Sequence, residues 1–439
     1  MKRILGILFG IVATVTAQTA LGEDVPLAGR WERTDASPKI ILRFGNTLDP
    51  DAAAEADFPE YELVGVPVGK VEQDGDTYTI EHGPRDSRGT LSLQLKEGRL
   101  EGTWTYGDYH AEVVLEQRPE SWRFTREEVH YDNDGTKLAG VLFLPEGDGP
   151  HPAMVWYHGS GDNERTHYLY QSVQFAEAGI ACLVTDKRGN HDSEGDWREV
   201  GFDTLASDGI AGVHYLKTRN EIDAGRIGVI GISQACWIMP LAAASSDDVK
   251  FIVAVSGAMV TPKDEGHYDF VVRLQDAGYG EAELAKAKAL LELDDNVTRG
   301  TADIKNLVAQ VKALRGEPWF QAMEFTPSPA HYYWREFYNR IIDYDPMPVW
   351  AGLHVPVLFI YGMADKSVHA PTSIGLLQPL LNDPAHDYTL RTFEGADHGI
   401  RVPGGPDAAF PLVPHAEGYY EAILTWVQEQ SGLGATSRD

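Results

Sequence analysis

Ile227-Gly228-Val229-Ile230-Gly231-Ile232-Ser233-Gln234-Ala235-Cys236-Trp237-Ile238-Met239-Pro240-Leu241-Ala242-Ala243-Ala244 reads as an apolar strand, a sharp turn and an apolar helix. The turn has the form Gly-x-Ser-x-small, with Gly231 and Ala235 flanking Ser233. Such a turn strains the backbone and crowds neighbouring chains, so its flanks must be small. It also holds a serine hydroxyl above a sheet, beside a helix N-terminus. Ser233 is therefore the candidate nucleophile.

A serine hydroxyl attacks poorly until a base takes its proton. The strand-like run Val357-Leu358-Phe359-Ile360-Tyr361 is followed by Asp365. Further on, Phe393-Glu394-Gly395-Ala396-Asp397-His398-Gly399 offers an imidazole. His398 is the expected base, and Asp365 the carboxylate that fixes its tautomer and steadies the imidazolium. Asp397 adjoins His398 in sequence and does not readily fold back onto its ring, so a loop hydrogen bond is the better reading for it. Upstream, Ala153-Met154-Val155-Trp156-Tyr157 leads into His158-Gly159-Ser160-Gly161. A tetrahedral oxyanion needs two aimed donors. The backbone N–H groups of Ser160 and Gln234 are the candidates for that oxyanion hole, with His158 as an organiser of its loop. This chemistry needs no cofactor, and no zinc-type spacing is seen among the cysteines and histidines.

The chain has 439 residues, which favours two domains. Lys2 and Arg3 precede an apolar run over 4–15, and Ala17 and Ala20 offer cleavage positions. Residues 1–20 thus read as a signal peptide, with an exported, periplasmic or secreted product. An uncleaved anchor is the alternative. No later segment is apolar enough to span a bilayer, so no stable membrane insertion is expected after cleavage. The formal net charge of −29 repels nucleic acid and anionic membranes. Only two cysteines occur, Cys182 and Cys236, which excludes a disulfide scaffold and suits small core residues. Asn296-Val297-Thr298 matches a glycosylation acceptor, read here as coincidence.

Residues 23–119 read as an all-β domain, a small meander or barrel-like sandwich, with a hairpin around Gly107-Asp108. From 121 to 430 strand and helix patterns alternate, which predicts a mostly parallel sheet with helices on both faces. An insertion at about 257–349 breaks that rhythm. Helical spacing over 281–293 and 302–314, then a dense set of aromatics (Trp319, Phe320, Tyr332, Tyr333, Trp334, Phe337, Tyr338), suits a cap over the site. Most of these aromatics are expected to pack the cap, and one or two to touch substrate.

The order of these parts, an HG loop, then Ser233, Asp365 and His398, resembles the α/β-hydrolase superfamily. The chain is similar to the serine esterases and peptidase-like hydrolases grouped with dienelactone hydrolase and acylaminoacyl-peptidase. Many of these carry Gly-x-Ser-Gln-Gly-Gly-Trp, against Gly231-Ile232-Ser233-Gln234-Ala235-Cys236-Trp237 here. Asp186-Lys187-Arg188-Gly189 and Ser193-Glu194-Gly195-Asp196-Trp197 also resemble a loop of that group. The resemblance implies an α/β-hydrolase fold with a helical cap, preceded here by a β domain. It also implies a serine hydrolase working through an acyl-enzyme. The expected substrate is a small-molecule carboxylic ester. The rivals are a peptidase acting on short peptides and a non-catalytic binding protein on the same scaffold. Oligomeric state is not specified by the sequence.

Overall fold

Short runs in which every second residue is apolar, separated by glycine turns, fold into the strands of an antiparallel sheet. The structure, a computed structural model, describes residues 27–433 apart from 46, 49–51, 62, 84–87, 121, 326–330 and 405–408, with backbone alone for 331–335. The signal peptide expected over 1–20 lies outside the described residues. The chain divides into two units, one of residues 1–120 with 406–412, the other of 121–405 with 413–439.

The first unit holds β1 (Gly29–Arg33), β2 (Ile41–Phe44), β3 (Ala54–Phe58), β4 (Leu63–Pro67), β5 (Lys70–Asp74), β6 (Thr77–His82), β7 (Gly89–Lys96), β8 (Arg99–Tyr106) and β9 (Tyr109–Arg118). They form one nine-stranded sheet in the order β4-β3-β2-β1-β9-β8-β7-β6-β5. All its neighbours are antiparallel. Gly107, at φ 60°, sits in the turn between β8 and β9, a left-handed position that glycine takes without strain. The core is aromatic: Phe58, Trp104, Tyr106 and Tyr109 surround Phe410. His82 lies among them, its Nε2 accepting from Trp104 Nε1 at 2.8 Å.

The second unit opens with the hairpin β10 (Phe124–Asn133) and β11 (Thr136–Pro145), then β12 (His151–Tyr157), α1 (Leu169–Glu177), β13 (Ala181–Thr185), α2 (Phe202–Lys217), β14 (Ile222–Ile232), α3 (Ala235–Ser245) and β15 (Ile252–Val255). Six helices follow: α4 (Pro262–Asp276), α5 (Glu281–Thr298), α6 (Ile304–Leu314), α7 (Pro318–Ala322), α8 (His331–Ile341) and α9 (Met347–Gly352). The sheet resumes with β16 (Val357–Gly362), α10 (Ala370–Leu381), β17 (Tyr388–Phe393) and α11 (Tyr419–Gln430). Its eight strands run β10-β11-β13-β12-β14-β15-β16-β17. Pairing is antiparallel as far as β13 and parallel from there to β17. The central strands are buried on both faces, as their continuous Val/Ile/Leu/Ala runs require. The helices α4 to α7 carry a core of their own, built on Leu274, Leu290, Leu307, Trp319 and Phe320. The fold is that of an α/β-hydrolase with a helical insertion and an all-β unit before it. Among the described residues, no helix is long and apolar enough to cross a membrane.

Candidate active site

Residues at the carboxyl ends of parallel strands share one edge of the sheet, where such folds hold their ligands. Ser233 follows β14 directly, at φ 59°, in the left-handed region that a non-glycine residue occupies only when its surroundings impose it. Its N–H donates to Val255 O at 2.9 Å, and its carbonyl accepts from Cys236 N at 2.9 Å at the start of α3. The turn leaves no room for larger flanks. A Cβ on Gly231 would meet Ala235 Cβ at 2.4 Å and Tyr157 O at 2.8 Å. Cys236 fills the space above Gly257, where an added Cβ would lie 2.3 Å from Cys236 Cβ. Both cysteines are buried and unbridged.

Asp365 follows β16, and His398 follows β17. Asp365 Oδ2 accepts from His398 Nδ1 at 2.8 Å. Its Oδ1 accepts from the N–H groups of Ser367 and Val368 at 2.8 and 2.9 Å. The carboxylate is thus fixed before it meets the ring, and it engages the ring through Nδ1 rather than Nε2. Burial pulls the His398 pKa down, but the hydrogen bond and charge of Asp365, with the charges of Glu265 and Asp397, outweigh it. The net shift is upward from 6.5. Asp397 accepts from Gly399 N and Arg401 N at 2.9 and 2.8 Å, a loop role.

The His158–Gly161 stretch passes close to Ser233: a Cβ on Gly159 would lie 3.9 Å from Ser233 Cβ. His158 Nε2 bonds Thr185 O at 2.5 Å. Burial, followed by the nearby Lys187 charge, pushes its pKa down to about 3, so it is neutral and no base. Ser160 is exposed and Gln234 buried. Both line a cavity of about 400 Å³ that extends among α4, α5 and α8 to Glu265, His267, Phe270 and Tyr338. Tyr338 donates to Pro262 O at 3.0 Å. Phe337 is buried and meets Trp197 edge-on at 5.0 Å. The side chains of Tyr332, Tyr333 and Trp334 lie outside the described residues.

Three features of the site have no role in the sequence reading. Glu265 of α4 lines the cavity, and burial pushes its carboxyl up to about 7 against the opposing pull of His398. His267 Nε2 bonds Asp295 at 2.8 Å across α4 and α5. Lys187 is buried beneath the Gly159–Gly161 loop. The Asp-Lys-Arg-Gly resemblance pointed at Lys187 without giving it a role. Asp186, His191 and Asp192 converge, but Arg165 sits among them, bonding Asp192 at 2.8 Å and the Asp186 carboxylate through Nε at 3.0 Å.

The fold and this edge of the sheet define a hydrolase of the α/β class. The chain belongs to the X-Pro dipeptidyl-peptidase (S15) family, whose model matches residues 134–386. It is similar to the quorum-quenching protein AidA of Acinetobacter baumannii, 30% identical over 107 residues, covering 24% of this chain and 35% of that protein. It is also similar to esterase EstD of Thermotoga maritima, 24% identical over 293 residues, covering 64% and 62%. A thiohydrolase of Aspergillus aculeatus, aneE, is 32% identical over 123 residues. The chain spans 35% and 38% of the lengths of AidA and aneE. Among solved structures, the α/β hydrolase GrgF from Penicillium sp. sh18 has a TM-score of 0.45 at 18% identity, covering 70% of this chain and 99% of that one. A puromycin-hydrolyzing peptidase of Mycobacterium tuberculosis has a TM-score of 0.48 at 16% identity, covering 90% and 52%.

Proposed function

We propose that this hydrolase is a serine esterase that cleaves small carboxylic esters through an acyl-enzyme on Ser233. The observation that carries the reading is the 2.8 Å bond between His398 Nδ1 and Asp365. A ring held through Nδ1 presents Nε2 as the base. In the first step Ser233 Oγ attacks the ester carbonyl while His398 takes its proton. The oxyanion accepts from the backbone N–H groups of Ser160 and Gln234. Collapse expels the alcohol, protonated by His398. Water, activated by the same ring, then releases the acid. Asp365 holds the imidazolium through its bond to Nδ1. The cavity of about 400 Å³ suits a compact substrate. Export as a periplasmic or secreted enzyme is part of the proposal and rests on the Lys2-Arg3 start and the apolar run after it.

The family match favours a second reading, a peptidase acting on short peptides. Comparing kcat/KM on a short-chain aryl ester with matched aminoacyl and dipeptidyl anilides separates the two. The esterase reading expects the ester to be favoured by orders of magnitude, and equal or better anilide turnover replaces it with the peptidase. Ser233→Ala should lower turnover by several orders of magnitude while keeping the fold, and should abolish fluorophosphonate labelling. Labelling that persists in this variant removes Ser233 as nucleophile. Absent turnover of either substrate, with Ser233 unlabelled in the wild type, leaves the binding-protein reading.

A further inference from the structure

A lysine seldom lies buried without a task, because its ammonium gives up hydration that its partners must replace. Lys187 follows β13 and is buried. Its Nζ donates to Gly159 O at 2.8 Å, to Gly161 O at 3.0 Å and to Gln234 Oε1 at 3.1 Å, which uses all three of its protons. It also lies 4.4 Å from the centroid of the Trp197 ring. Asn163 works on the same loop, its Nδ2 donating to Ser160 O at 2.9 Å and Gly161 O at 3.1 Å. The carbonyls of three successive residues are therefore all drawn toward Lys187 and Asn163.

A trans peptide is planar, and its C=O and N–H point in opposite directions. Fixing the Gly159 carbonyl fixes the Ser160 N–H, since both belong to one peptide unit. With the carbonyl turned onto Lys187, that N–H is turned away from it. The loop passes beside Ser233, since a Cβ built on Gly159 would lie 3.9 Å from Ser233 Cβ. The third bond ties the side chain of Gln234, the residue that supplies the second candidate donor, to the same ammonium. One cation thus connects both halves of the hole.

We propose that Lys187 is the positioning residue of the oxyanion hole: its ammonium holds the Gly159 and Gly161 carbonyls and the Gln234 side chain, and so aims the Ser160 N–H at the oxyanion. This rests on the Ser233 reading given above. Lys187 touches no reacting atom. It acts by removing the loop's freedom to present a carbonyl, instead of an N–H, to the developing negative charge. Burial pulls its pKa down to about 7, with Asp162 opposing and Arg198 adding to the fall.

The test compares wild type, Lys187→Met and Lys187→Arg on a short-chain aryl ester, with active sites counted by fluorophosphonate titration. Lys187→Met keeps the stem and loses every donor. Per active site, kcat should fall about 10²- to 10³-fold, the scale of losing one oxyanion donor. KM should stay within about threefold, because the ground-state carbonyl leans little on the hole. Affinity for a trifluoromethyl ketone analogue should fall in step with kcat. A role in folding alone would lower the count of active sites and leave kcat per site unchanged. That outcome overturns the proposal, as does a loss carried by KM. Should Lys187→Met not fold, Lys187→Arg decides. A planar fork cannot serve three acceptors that converge on one atom, so kcat should still fall at least tenfold. Wild-type kcat in that variant overturns the proposal. Ser233→Ala is assayed in parallel, and turnover retained there overturns the site reading and the clamp together.

Discussion

Glu265 and His398 perturb each other, and the sign of that coupling gives a test at the level of one side chain. The charge of Glu265 is among the groups that raise the His398 pKa, after Asp365. In the proposed mechanism His398 acts as base only when unprotonated, so activity should rise with pH through its pKa. The Glu265 carboxyl itself ionises only near pH 7, so Glu265→Gln removes a partial negative charge there and should move the acid limb of kcat/KM modestly to lower pH. An unshifted or upward-shifted limb, with chemistry rate-limiting, would show that Glu265 does not face the base. Neither Glu265 nor Lys187 was legible as a working group in the sequence. Ser233 and Asp365 stood out because each follows an apolar strand, and His398 because it lies in the short turn Gly395–Gly399, all of them local signals. Glu265 lies in the first turn of a helix, where an acid is ordinary, and its position at the cavity depends on how α4 packs. Lys187 is given its partners by strand order: β12 and β13 are parallel neighbours, which brings their C-terminal loops together.

Whole elements were read unevenly, for physical reasons. The hairpin β8–β9, the helix α2 and the strand–turn–helix around Ser233 carry strong periodicity and clear stops. Helix α4 begins with Thr261 capping Asp264 N and Pro262 in the first turn, signals that a start should carry. Its interior is only partly buried and holds Gly266, so no apolar stripe announced it. Helix α10 carries Pro379 inside, which masks it in the same way. Strands β3 to β5 are short, and β5 is mostly exposed, so their alternation is weak. The insertion yields two tests. In α6, Leu307 is fully buried while Val308 is 54% exposed. Leu307→Ala should cost about 2–5 kcal/mol and Val308→Ala about 0.5 or less, read from chemical denaturation. Equal effects would mean that α6 does not pack as described. Phe270 and Phe325 line the cavity with ring centroids 5.7 Å apart. Phe270→Ala and Phe325→Ala should enlarge it and move the ranking of esters toward longer acyl groups. An unchanged ranking in both variants would take the acyl chain out of this cavity.

Acid stability joins both units and sets two opposing effects against each other. A formal charge of −29 repels itself, so lowering the pH toward the pI near 4.8 should relieve the folded state. Two buried histidines act the other way. His82 lies in the aromatic core of the β unit, and burial pulls its pKa down to about 4. Its Nε2 accepts from Trp104, which requires the neutral ring. His158, in the second unit, is held down to about 3. A group whose folded pKa lies below its unfolded value binds its proton more readily in the unfolded chain. The stability it contributes is complete above about pH 6.5 and is lost as pH falls toward the folded pKa. For His82 the span from 6.5 to about 4 corresponds to about 3 kcal/mol, an order-of-magnitude figure. Salt separates the two effects. At about 1 M salt the Debye length is near 3 Å and the surface repulsion is screened, while a buried ring is not. Urea midpoints measured by tryptophan fluorescence in high salt should therefore fall steadily from pH 7 to 4.5. His82→Gln should be less stable than wild type at pH 7, because Trp104 loses a fitted partner, yet should show a shallower fall. A variant slope equal to that of the wild type would remove His82 as a source of acid lability and leave the decline to His158 and the carboxylates.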